Sequence, residues 1–153
     1  GEITLKGFSK ERTQELKNLI SGTKNENVFE RQVAGAYLYK NFNLHIKAEK
    51  IDYPPIANSS QLSELAAQNM GRVSDLAREI LTRSANLVAC QIAGIGRFKN
   101  QDMTFVMEGS LFWKGYKYKQ TVNDIFKLLV PQHKVEFEQI ENSDILGAAK
   151  LVS

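Results

Sequence analysis

The chain has 153 residues, about one domain, and its 42% hydrophobic and 24% charged content gives no indication of disorder and leaves no need for a metal or disulfide staple. A net charge of +3 is too small to argue by itself for a nucleic-acid partner, although it permits anionic ligands. No membrane segment is expected, because the longest apolar stretch, Leu87 to Ile95, is interrupted by Gln91 and is far too short to span a bilayer.

The opening GEITLKGFSKE lacks the basic-then-apolar order of a secretion signal, and a chain that begins on Gly reads as a piece of something longer. Ser9 can cap a helix through Glu11, Leu16, Leu19 and Ile20, with Gly22 placed to end it. Asn25-Glu26-Asn27 starts a second helix, in which Phe29, Val33, Ala36, Tyr37 and Lys40 recur at helical spacing. Glu30 falls in its first turn, where a carboxylate complements the helix dipole. The charged stretch from Lys40 to Lys50 and the extended backbone forced by Tyr53-Pro54-Pro55 form the main irregular segment. Asn58-Ser59-Ser60 offers another cap, for a helix carrying Leu62, Leu65 and Ala66 that breaks at Gly71. His45 and His133 are far apart and lack carboxylate or cysteine neighbours at ligand spacing, so no metal site is expected.

The strongest periodicity runs from Val73 to Ile95, through Leu76, Ala77, Ile80, Ser84, Leu87, Val88, Gln91 and Ile92. It predicts a long core helix, ended by Gly96 with Arg97 and packed across a parallel-containing sheet. Ala85, Ala89, Ala93, Gly94 and Gly96 make one side small enough for a helix or sheet to come close. Cys90, the single cysteine, can form no internal disulfide and reads as an inert, buried thiol in a reducing cytoplasm.

Met103 to Met107 predicts a strand buried on both faces, broken by Glu108-Gly109-Ser110 before a helix that starts further on. Glycine lets backbone approach a ligand and Ser110 adds a hydroxyl and an N–H, which outlines a phosphate or nucleoside site; an ordinary strand-to-helix turn has the same sequence. Tyr118, Val122, Ile125, Phe126 and Leu129 form a helix stopped by Pro131, and Val135 to Ile140 alternates as a strand does. Asn142, Ser143 and Asp144 open a last helix over residues 145–152. Strand, helix, strand, helix normally makes a crossover between parallel strands, with ligands at their carboxyl ends beside Gly109, Ser110 and Ser143.

Four blocks in order, FERQVAGAYL at 29–38, TRSANLVACQIAGI at 82–95, VMEGSLFWK at 106–114 and NSDILGAAKLV at 142–152, resemble the C-terminal part of the hexokinase/glucokinase family. The resemblance implies an α/β fold: an actin-like ATPase (ribonuclease H-like) half-domain, helix-rich, with a mixed sheet flanked by helices. Within one domain over 1–153 it implies a helical lead-in over 1–26, a helical region over 27–101 and a nucleotide-side unit over 102–153. The family transfers the γ-phosphate of Mg-ATP to the 6-hydroxyl of glucose. By the resemblance Glu30 binds the hexose, and Gly109, Ser110, Leu111, Phe112, Trp113 and Lys114 hold ATP or ADP. Glu108 stands where the family usually has Asp. The family's catalytic Asp and phosphate loops all precede the first block, so the missing N-terminal part of the same chain is an expected partner and this segment alone is expected to be inactive, with no catalytic residue of its own.

Two other classes remain open. Phe112 to Lys119, FWKGYKYK, interleaves aromatics with lysines as a nucleic-acid stacking platform does, although the helical spacing from Tyr118 and the small net charge argue against it. A structural or dimerising domain that has lost its nucleotide turn is the other.

Overall fold

A computed structural model describes residues 28–139 of the chain. In order these are α1 (Val28–Val33), α2 (Gly35–Ala48), α3 (Ser59–Ala67), α4 (Arg72–Lys99), β1 (Met103–Val106), α5 (Ser110–Lys114), α6 (Tyr118–Leu129) and β2 (Val135–Glu138). The helix expected from Ser9 to Gly22 and the last helix with Ser143 lie outside the described residues.

The second predicted helix is two. Ala34, extended at φ −75° and ψ 134°, separates α1 from α2. Beyond it the helix does not stop at Lys40: α2 continues to Ala48 through the segment expected to be irregular. Leu38, Phe42 and Ile46, four residues apart, are buried on one stripe, which outweighs the charged and amide residues between them. The irregular stretch is therefore shorter, and the Asn43 side chain pins it by donating to the Ile56 carbonyl and accepting from the Ile56 N–H, both at 2.8 Å. Asn58 caps α3 as its sequence predicts, accepting from the Gln61 N–H at 3.0 Å. The Gln61 side chain reaches back to the Ala57 N–H at 2.7 Å, a reciprocal arrangement close to a capping box.

Gly71, at φ +57°, marks the predicted break before α4. The long helix then runs past Gly96 to Lys99 and ends at Asn100, whose φ of 51° is left-handed. Gly96 is inside the helix because it is a contact: a Cβ there would stand 3.1 Å from the Phe126 ring. Ala85, Ala89, Ala93 and Gly96 are buried in this way, and α4 packs chiefly on α6 and α3 where the sequence suggested a sheet. Small residues on one stripe let a second helix come close, and α6 fills the place with Val122 and Phe126, both 0% exposed. The two helices run in the same direction, Ser84 meeting Tyr118 at one end and Arg97 holding the Leu129 carbonyl at the other. Cys90 lies off this stripe and is exposed, contrary to the buried thiol expected; Gln91 and Ile95 are exposed as well.

β1 and β2 pair in parallel, with Phe105 opposite Phe137, and α5 and α6 make the connection between them. This is the predicted strand order, but the expected burial of β1 on both faces does not hold. Its residues alternate half-buried and exposed, Val106 being 47% exposed, because among the described residues β1 has a single partner strand and aromatic packing on one face. The described sheet is this parallel pair alone, so the mixed sheet expected is not seen within residues 28–139. No helix among the described residues is long and apolar enough to cross a membrane.

Candidate functional site

The turn from β1 into α5 takes a conformation that glycine alone adopts easily. Gly109 sits at φ +86° and ψ 142°, and no atom lies within 4 Å of a Cβ placed there. Backbone conformation, not space, is what asks for glycine. α5 begins at Ser110 itself, not further along as the sequence suggested. Trp113 braces the turn from behind, its indole N–H donating to the Met107 carbonyl at 2.9 Å.

A five-residue helix offers its residues to different sides, and this divides the six predicted nucleotide contacts. Ser110, Leu111 and Lys114 line a cleft of about 480 Å³ between α5 and the first turns of α3. Gly109 is exposed and is not among the residues that line the cleft. Phe112 points the other way and is 4% exposed, packed against Phe137 at 5.0 Å and Trp113 at 5.1 Å between ring centroids. The Trp113 ring is covered by the Lys119 ammonium at 4.4 Å, and Lys117 stands 5.4 Å from the Tyr116 ring. The aromatics between Phe112 and Tyr118 thus serve the core or carry a lysine over a face, which leaves little of the stacking platform that FWKGYKYK suggests.

The opposite wall was not anticipated. Ser59, Ser60, Ser63 and Glu64 line the cleft from α3, and Gly115 and Tyr116 complete it beyond α5. Ser59, Ser60 and Ser63 are one face of a capped helix, a helical spacing of hydroxyls visible in the sequence once α3 is recognised as a wall. The walls are joined where the Tyr116 N–H donates to the Ser63 hydroxyl at 2.7 Å. Chemically the cleft offers apolar surface from Leu111 and Ala67, hydroxyls from four serines, one carboxylate and one ammonium. Its size is in the range of roughly 300–1,000 Å³ typical of small-molecule sites.

Glu30 is exposed on the first turn of α1 and is not among the residues that line the cleft. Its helix is nevertheless fixed. The buried Ser84 hydroxyl bonds the Val33 carbonyl at 3.1 Å and the Tyr118 hydroxyl at 2.7 Å, tying α1 to α4 and α6. Burial raises the Tyr118 pKa above its ordinary value, against a smaller lowering by the Ser84 hydrogen bond. Among the described residues no three His, Cys, Asp or Glu side chains gather closely enough to hold a metal ion.

A search of curated proteins found no match. The family model described as Hexokinase matches residues 41–153, which takes in the whole cleft but not Glu30. With nearly three quarters of its length inside that match, the chain belongs to the hexokinase family, in the part formed by the family's C-terminal domain.

Proposed function

We propose that this chain is the carboxyl-terminal segment of the larger, actin-like domain of an ATP-dependent hexokinase, and that the cleft between α3 and α5 receives the nucleoside of Mg-ATP. The observation that carries the reading is the meeting of Ser110, Leu111 and Lys114, predicted as nucleotide contacts, with a polar helix face of α3 in one cleft. Leu111 and Ala67 suit a base, and the serine hydroxyls and the Glu64 carboxylate suit a ribose, whose hydroxyls both donate and accept. These residues fit a nucleoside. Mg-ATP supplies the phosphoryl group that the parent enzyme moves to a hexose.

In the parent, Glu30 accepts hydrogen bonds from adjacent sugar hydroxyls, one to each carboxylate oxygen, and so holds the hexose in one orientation. The attacking oxygen of the 6-hydroxyl forms its bond to the γ-phosphorus as the bond to the bridging oxygen breaks, and the hydroxyl proton passes to a carboxylate upstream of this segment. Here the chain's own residues bind and orient. The general base lies upstream in the parent, and the single cysteine supports placing the parent in a reducing cytoplasm.

The test has two arms. A calorimetric titration of the isolated chain with Mg-ATP should show saturable binding, which Ser110→Val weakens. In a coupled assay with glucose and Mg-ATP the isolated chain should show no turnover, while the same chain joined to its native upstream sequence should phosphorylate glucose. Turnover by the isolated chain would mean that the catalytic group is inside it, and absent ATP binding would leave the structural-domain reading.

A further inference from the structure

Glu64 is the one carboxylate among the residues that line the cleft, and the helix that carries it makes no use of its charge. It lies beyond the first turn of α3, where an acid would complement the helix dipole. Its neighbours three and four residues away along the helix are Ser60, Gln61, Ala67 and Gln68, none of them basic. Among the described residues it enters no ion pair, either with Lys114 on the opposite wall or with another cation. The Ser60 hydroxyl donates to it at 3.5 Å, too long to occupy the carboxylate. Glu64 therefore brings to the cleft an acceptor that the fold itself does not consume.

An ionised carboxylate only accepts hydrogen bonds, and its charge repels phosphate, so the part of a nucleotide that lies against Glu64 must be uncharged and must donate. Adenine offers one amino group, flanked by a ring nitrogen that a carboxylate repels. Ribose offers two adjacent hydroxyls, each able to donate to one carboxylate oxygen. We infer that Glu64 is the specificity-determining residue of the cleft: it accepts from the 2′- and 3′-hydroxyls and so makes the site prefer a ribonucleotide to its 2′-deoxy counterpart. This rests on the nucleotide reading of the cleft. Ser60, one turn before Glu64, and Ser63 beside it put further hydroxyls on the same wall, while Leu111 and Ala67 leave apolar surface for the base. Because Glu64 is exposed, water replaces a missing 2′-hydroxyl, and the preference is that of a single charge-assisted hydrogen bond, far smaller than a buried site would give.

The experiment is a cycle between residue and ligand, read by calorimetric titration of the full chain with Mg-ATP and with Mg-2′-deoxyATP. The unaltered chain should bind Mg-ATP about tenfold more tightly than the deoxynucleotide, the worth of one charge-assisted bond. Glu64→Ala removes the acceptor, so the ratio of the two Kd values should fall below about threefold, chiefly through weaker binding of Mg-ATP. Circular dichroism checks folding; should Glu64→Ala lose helix content, Glu64→Gln, which keeps the shape without the charge, should likewise bring the two Kd values closer together. Equal Kd values in the unaltered chain, or a preference that survives in the folded Glu64 variant, overturns the inference while leaving the cleft a nucleotide site. Failure of the unaltered chain to bind either nucleotide instead overturns the nucleotide reading and this inference with it.

Discussion

Replacing Ser84 by Ala should be among the more damaging single-atom deletions in this chain. Ser84 is 0% and Tyr118 3% exposed, so neither hydroxyl can turn to water when its partner is lost. The deletion breaks two bonds, to the Val33 carbonyl at 3.1 Å and to the Tyr118 hydroxyl at 2.7 Å. A stranded buried polar group costs about 1–3 kcal/mol and a net hydrogen bond about 1 kcal/mol, so Ser84→Ala should destabilise by roughly 2–3 kcal/mol. Tyr118→Phe should cost only about 1 kcal/mol, because Ser84 keeps the Val33 carbonyl as partner. With the tyrosine hydroxyl already gone, Ser84→Ala loses only the bond to Val33, and a coupling of about 1–2 kcal/mol results. Urea unfolding followed by circular dichroism measures all four corners, and at a slope of about 2 kcal/mol per molar urea the single Ser84 variant moves the midpoint by about 1 M. Energies that add to within about 0.5 kcal/mol would refute the argument that these hydroxyls satisfy each other.

Ala89→Leu, at a position with 0% exposure under α6, should overpack the α4–α6 contact by about 1–3 kcal/mol; an unchanged melting curve would count against close packing there. The raised Tyr118 pKa has a pH consequence of definite sign: below the ordinary tyrosine value of 10.0 both states keep the proton and stability is unaffected, whereas above it the unfolded chain ionises first. The stability difference between wild type and Tyr118→Phe should therefore be constant up to about pH 10 and shrink as pH rises further, which a series of urea midpoints would read. In the full-length parent, Glu30→Gln should raise the sugar Michaelis constant, since a charge-assisted bond of roughly 1.5–3 kcal/mol becomes a neutral one. Ser110→Val should act mainly on ATP; equal damage to both substrates would end the assignment of the two residues to separate subsites.

Local chemistry accounts for what could be read in advance. The Asn58 cap, the Gly71 break, the helix from Tyr118 stopped before Pro131 and the parallel strands around the Gly-Ser turn each depend on residues adjacent in sequence or on strong periodicity, and each stands where expected. The turn at Gly109 and the four blocks of resemblance belong to the same kind of signal, and the family match bears out the resemblance over residues 41–153. What could not be read was which face of each element meets another. Leu38, Phe42 and Ile46 make α2 helical only because a core receives them; by composition the same stretch is loop-like. Gly96 has a helix-ending residue's chemistry, and the Phe126 ring decides that it continues the helix. The Ala-Gly side of α4 announced a close neighbour without saying whether helix or sheet, and tertiary packing supplied α6. The six-residue run at Gly109–Lys114 reads as one nucleotide block, whereas its helix sends Phe112 into the core and Ser110, Leu111 and Lys114 into a cleft. The far wall of that cleft comes from α3, some fifty residues upstream. Sequence determines the local conformations and the stripes that can be buried; which stripes face each other depends on contacts between distant residues, and the cleft exists only where those contacts bring α3 and α5 together.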